Sequence, residues 1–270
     1  IVLHGLEGSS NSSYAWGAMN EVLGRGWNGL VFHFRGCSGE PNRLDRRYHS
    51  GETEDIGAVV AHVRALHPGQ AVCAIGFSLG GNVLLKWLGE TGGDNPLHSA
   101  VAVSVPFDLD RCAHRLERGF SRLYQWWLMR SMRSSVLDKH GEDISPPVDL
   151  GTVRSSSTFR QFDDVVTAPL HGFDGVDDYY NRSSCGRYIS GIRRPTLILH
   201  ALDDPFMYPE VCPPVDDLPT NVELEATGAG GHVGFVYGTP RRPRYWHEAR
   251  AFAFLATRLE LSLIHISEPT

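Results

Sequence analysis

The sequence lacks most of the features that would place it in a specialised class. Cysteine is sparse: Cys37, Cys73, Cys112, Cys185 and Cys212 are odd in number, far apart and free of any CxxC pair. That spacing excludes a disulfide framework and a zinc-finger-type site, and a reduced, cytoplasmic setting is expected. Basic residues are not in excess. A net charge of −6 offers no stripe for phosphates, so no nucleic-acid partner is expected. No apolar run reaches the roughly 18 residues that a spanning helix needs, so no membrane-spanning segment is expected. Repeats and low-complexity blocks are missing too. So is an initial methionine: Ile1 opens inside an expected strand. The expectation is that N-terminal strands are missing, and any targeting segment with them.

What is there is an ordinary globular balance, 41% hydrophobic and 21% charged over 270 residues, enough for one large domain or one carrying an insertion. Short apolar runs alternate with helical patterns, the signature of a mostly parallel, doubly wound sheet. The strand candidates are Ile1–His4, Leu30–Phe34, Ala71–Phe77, Ala100–Val105, Thr196–Ala201 and Val222–Ala226. Four read as near-continuous Val, Ile, Leu and Ala, as strands covered on both faces do. Helical patterns follow at Tyr14–Gly24, Glu54–Leu66, Gly80–Leu88 and Tyr245–Leu261.

About ninety residues between Val105 and Thr196 break this rhythm, too many for an ordinary α/β connection. With a helical pattern at Leu116–Met132 and aromatic pairs at Trp126-Trp127 and Tyr179-Tyr180, residues 106–194 are expected to form an inserted cap. It would lie over the sheet's C-terminal edge, with 1–105 and 195–261 as the core. The cap aromatics would either supply an apolar pocket or simply pack the cap down. Residues 262–270 (SLIHISEPT) follow a finished helix and are expected to be a non-native or frayed tail.

The strongest local signal is Gly76-Phe77-Ser78-Leu79-Gly80, a G-x-S-x-G between a buried strand run and a helix pattern. A serine on so tight a turn takes strained backbone angles, and flanking glycines leave room for the turn and for close helix packing. The turn lifts Oγ to the sheet's C-terminal edge, at a helix N-terminus that favours developing negative charge. Ser78 is therefore the candidate nucleophile. Acyl transfer also needs N–H donors for the oxyanion. One is expected from Leu79. The other is expected from Leu6, in the His4-Gly5-Leu6-Glu7-Gly8 loop after the first strand, where the backbone counts and the His4 side chain is incidental.

A base should come last in chain order. His232 sits on the glycine-rich loop after the final strand run, whereas His200 lies in a strand and His247 in the last helix pattern. The acid should follow the preceding strand, in Leu202-Asp203-Asp204-Pro205. Asp204 is preferred, to hold the histidine tautomer; Asp203 is the alternative and could instead cap the turn.

With these residues in place, the chain resembles the YheT-like branch of α/β-hydrolases, which has plant embryogenesis-associated relatives. The resemblance rests on HGLEGSSNSSY (His4–Tyr14), FRGCSGEPNR (Phe34–Arg43), YHSGETED (Tyr48–Asp55), GFSLGGNVLLKWLGE (Gly76–Glu90), VPFDL (Val105–Leu109), TAPLHGF (Thr167–Phe173), DDYYNRSS (Asp177–Ser184), DDPF (Asp203–Phe206) and GGHVGF (Gly230–Phe235). It implies the α/β-hydrolase fold, a serine carboxylesterase or acyl-lipid hydrolase with triad Ser78, Asp204 and His232, and further strands ahead of the first one here. The Leu30–Phe34 strand would then stand at a sheet edge. Short- to medium-chain esters are the expected substrates, with no metal or organic cofactor. A thioesterase, amidase or acyltransferase would use the same triad. A non-catalytic binding protein on this scaffold would more often have lost one member of it.

Overall fold

A computed structural model describes residues 1–267 apart from 142 and 240. Its first half alternates strand and helix: β1 (Val2–Leu3), α1 (Ser13–Gly24), β2 (Val31–Phe32), α2 (Glu54–Leu66), β3 (Cys73–Phe77), α3 (Leu79–Thr91) and β4 (Ser99–Val103). Next come α4 (Leu109–Leu116), α5 (Ser121–His140), α6 (Leu150–Ser155), α7 (Phe159–Phe162), α8 (Ala168–His171) and α9 (Val176–Ser183). The chain returns to the sheet with β5 (Thr196–Ala201) and β6 (Val222–Thr227). It ends in the hairpin β7 (Val236–Thr239) and β8 (Arg242–Tyr245), followed by α10 (Trp246–Ser267).

Six parallel strands run in the order β2-β1-β3-β4-β5-β6, so β2 stands at an edge as expected. Strand alternation divides the central residues between two cores. Ala74, Ala100 and Ile198 face α2 and α3, where Ile56, Val60, Val83 and Leu88 are buried. Ile75, Phe77, Val101 and Leu199 face α1 and α10, against Ala15, Ala18, Ala251 and Phe252. Both faces of the sheet are covered, which accounts for the apolar strand sequences.

The helices between β4 and β5 build a third cluster of their own. Leu116, Leu128, Met132, Phe162 and Tyr180 are among its buried members, and Leu6 and Phe206 of the sheet loops pack against it. The helix expected over Leu116–Met132 starts later: it is α5, from Ser121, and Leu116 instead ends α4. Glu117 is the C-cap of α4, and Gly119, at a positive φ of 55°, lies in the turn before α5 starts.

Two other expectations need correction. The hairpin β7–β8 was not foreseen; its residues are exposed throughout, so no apolar alternation advertises it. α10 runs past its expected end at Leu261 to Ser267, because SLIHIS holds neither glycine nor proline. The remainder of the expected tail, residues 268–270, lies outside the described residues. Among those described, no helix is long and apolar enough to cross a membrane.

Candidate active site

Ser78 joins β3 to α3 with φ 52° and ψ −117°, a strained conformation for a residue with a side chain. Two close approaches impose it. A Cβ on Gly76 would lie 2.5 Å from the Gly80 carbonyl oxygen, and one on Gly80 would lie 2.5 Å from the carbonyl oxygens of both Leu3 and His4. The glycines therefore let α3 press its first turn onto the end of β1. The backbone N–H of Ser78 donates to Val103 O of β4 at 2.8 Å, fixing the turn from its other side.

The same contact brings the His4–Gly8 loop beside the serine: a Cβ on Gly5 would lie 3.4 Å from Ser78 Cβ. Leu6 and Leu79 both line the cavity that opens onto Ser78. Leu79 is the first residue of α3, where backbone N–H groups have no partner within the helix. The His4 side chain is not incidental. Fully buried, it bridges Gly5 O at 2.7 Å through Nδ1 and Phe34 N at 3.2 Å through Nε2. Burial pushes its pKa down to about 4, so the neutral ring donates at one nitrogen and accepts at the other, tying the loop to β2.

Three of the residues singled out in the sequence come together in a hydrogen-bonded chain. His232 Nε2 lies 2.9 Å from Ser78 Oγ, and its Nδ1 lies 2.8 Å from Asp204 Oδ2. The second Asp204 oxygen accepts from Phe206 N at 2.8 Å, and the carboxyl is buried. Asp203 does something else: its Oδ1 accepts from Gly230 N and Gly231 N, both at 2.8 Å. It thus anchors the loop that carries His232. His200 and His247 are buried and make no hydrogen bond to Ser78, His232 or Asp204, and burial lowers the pKa of each.

Two supports were not foreseen. The Phe206 ring stacks on His232 with centroids 3.9 Å apart and planes 2° from parallel; its place directly after Asp204-Pro205 was the available signal. Ser104, at φ 53°, accepts from Val233 N at 3.0 Å and holds the loop's far side. A lone serine after a strand gave no such hint.

The cavity above Ser78 has a volume of about 110 Å³. Its walls are Leu109, Leu116, Leu128, Met132, Phe159 and Val166 from the helices between β4 and β5, with Leu6, Leu79 and Phe206 from the sheet loops. Tyr179 and Tyr180 line it and are also packed into the third cluster, so both alternatives left open for that pair apply. Trp126 and Trp127 do not: they are 55% and 62% exposed on the outer side of α5. The α5 residues that turn inward are Leu128 and Met132, as the helical period requires.

The cavity's polar groups are largely uncharged or paired. Burial holds His49 down to about 3 and His171 to about 4, and pushes Asp163 up to about 6. Tyr180 OH donates to Asp163 at 2.8 Å. The Glu7 carboxylate accepts from Tyr48 OH at 2.7 Å, Ser131 Oγ at 2.9 Å and Arg47 Nη2 at 3.2 Å. Cys112 also lines the cavity, but burial pushes its thiol well up, which removes it as a rival nucleophile. No group of three or more His, Cys, Asp or Glu gathers to hold a metal among the described residues.

Compared with known proteins, residues 1–239 match the alpha/beta hydrolase fold family. The chain is 44% identical over 261 residues to "Putative esterase YheT" of Escherichia coli (strain K12), covering 96% of this chain and 77% of that protein. It is 36% identical over 249 residues to "Phospholipase ABHD3" of Mus musculus, covering 91% of this chain and 60% of the mouse protein. Among solved structures, the Pyrococcus furiosus esterase Pf2001 aligns with a TM-score of 0.60 at 21% identity, over 95% of this chain and 81% of that one. A likeness at that identity speaks for the fold alone.

Proposed function

This chain belongs to the alpha/beta hydrolase family, in its YheT-like branch, and from that membership we propose that it cleaves carboxylic esters through an acyl-enzyme on Ser78. The observation that carries the reading is the unbroken chain Ser78 Oγ–His232–Asp204, at 2.9 and 2.8 Å. Because Asp204 accepts from Nδ1, His232 turns the lone pair of Nε2 toward the hydroxyl. Ser78 Oγ attacks the ester carbonyl carbon as its proton passes to Nε2. The resulting oxyanion sits between the N–H groups of Leu6 and Leu79. Collapse breaks the bond to the alcohol oxygen, which takes the proton from His232 as it leaves. Water then attacks the acyl carbon, His232 takes its proton and returns one to Oγ, and the free acid departs.

A fluorophosphonate probe should label this chain once, at Ser78. Peptide mass mapping reads the result, and a chain that stays unlabelled, or carries the adduct elsewhere, would refute the assignment.

The helices between β4 and β5 act in this reading as a cap, and the apolar wall they supply takes the acyl group. A cavity of about 110 Å³ is smaller than the roughly 300–1,000 Å³ of pockets for drug-sized ligands, so short chains fit best. Across p-nitrophenyl acetate, butyrate and octanoate, kcat/KM should climb roughly fourfold per methylene until the chain meets the pocket end, then fall. Met132→Ala or Leu128→Ala should move the optimum to longer chains. Trp126→Ala should leave it in place, since that ring lies outside. A flat profile indifferent to all three would detach the cap from substrate selection.

A further inference from the structure

The outer face of the α4–α5 corner exposes large apolar side chains that a folded surface ordinarily covers. Phe120 is 72% exposed, Trp127 62%, Leu123 and Trp126 55% each, and Tyr124 38%. They form one patch because their spacing is helical. Leu123 has Trp126 and Trp127 three and four positions on, and Phe120 meets Tyr124 edge to face at 5.7 Å. A contiguous apolar patch of this kind marks an interaction surface.

Its charge says what kind. Arg118, Arg122 and Arg130 are exposed, and among the described residues none has a carboxylate in ion-pair range. Arg122 and Arg130 stand four positions either side of Trp126 on the same helix, so cation, indole and cation form one row along α5. The chain as a whole carries a net charge of −6, so an uncompensated basic row is a local exception. Tryptophan and tyrosine favour the boundary between headgroups and acyl chains, and arginine beside them meets anionic headgroups.

The patch is also continuous with the cavity. Tyr124 packs on Phe206 with centroids 5.2 Å apart, and Phe206 is the ring stacked on His232. We propose that the Phe120–Arg130 face of α5 docks this protein peripherally onto an anionic lipid surface, presenting the Ser78 cavity to esters held there. The docking itself does not depend on the esterase reading. Only the last clause does, and binding can be measured without turnover.

The test is co-sedimentation of the full chain with phosphatidylcholine vesicles, with and without phosphatidylglycerol at three parts in ten, at low and high salt. The expected result is partitioning onto the anionic vesicles that weakens with salt, and little onto the neutral ones. Arg122→Gln with Arg130→Gln should weaken it roughly 30-fold. Trp126→Ser with Trp127→Ser should lower it at least as far. Both pairs lie on the surface, so circular dichroism and turnover of a soluble short ester should match the parent chain. Failure of the parent to bind anionic vesicles, equal binding to neutral ones, or variants that bind like the parent would overturn the proposal. So would a dimer, seen by ultracentrifugation, that the Trp126/Trp127 variant converts to monomer, because the face would then belong to a second copy of the chain.

Discussion

Replacing Ser78 with alanine is expected to lower kcat/KM for p-nitrophenyl butyrate by roughly 10⁴-fold or more, the scale seen when one member of a triad that acts as a unit is removed. The Oγ hydrogen bond runs to His232, so the loss falls on the chemistry and not on the scaffold. The strained φ of 52° is set by the approach of α3 to β1 and by the backbone bond to Val103, none of which needs the hydroxyl. The variant should therefore melt close to the parent temperature. Stopped-flow or plate assays at saturating and subsaturating ester separate kcat from KM, and the decrease should lie in kcat. A variant that hydrolyses the ester at the parent rate would remove Ser78 as nucleophile, whatever its distance from His232.

Exchange at the adjacent aspartates should separate two carboxyls that the sequence leaves side by side. Asp204→Asn keeps the shape of the loop: the amide oxygen retains the bond from Phe206 N, which turns the amide N–H toward His232 Nδ1. The ring then favours the tautomer with its proton on Nε2, facing Ser78, where it cannot take another. A decrease of roughly 10⁴ in kcat is expected, the size this change has in the chymotrypsin-type triad. Asp203→Asn retains an oxygen for the N–H groups of Gly230 and Gly231, and should cost less than about tenfold, since the hydrogen bonds survive with weaker, uncharged character. Steady-state kinetics on the two purified variants decides between them. The reverse ranking would make Asp203 the acid and Asp204 the loop anchor.

The parts of this molecule that could be read in advance are those where one local rule dominates. Strand alternation and buried apolar runs identify all six parallel strands, and Thr196–Ala201 and Glu54–Leu66 appear with the bounds foreseen. The turn at Ser78 is legible because its glycines answer to backbone crowding within a few residues. Asp204 and Asp203 could be ranked but not separated, because what distinguishes them is a loop 27 residues further on. Trp126 and Trp127 misled for a related reason. Aromatic pairs in a charged segment suggest a pocket, yet which face of α5 turns inward is set by packing against helices far along the chain, where Leu128, Met132 and Val136 meet Val153, Phe162 and Val166. Phe206 stacking, the Ser104 bond and the network on Glu7 are tertiary meetings that no periodicity encodes.

Glu7 belongs to two bodies at once. It sits at φ 53° in the loop that carries Leu6, and its carboxylate grips Ser131 of α5 while Arg47, bound to the same carboxylate, also reaches Ser135. Lifting α5 to admit a bulky ester would strip this carboxylate of Ser131 and draw Arg47 away with Ser135, leaving a strained residue with fewer restraints beside the Leu6 N–H. If these helices act as the proposed cap, the position of α5 and the alignment of the loop would be thermodynamically linked: whatever opened one would loosen the other, by the same free energy in either direction. On the proposed mechanism, an ester small enough to enter without parting α5 from the sheet would meet an aligned Leu6 N–H. A larger one would first have to disorder the group that stabilises its transition state, so selection against long acyl chains would act on turnover as well as on fit.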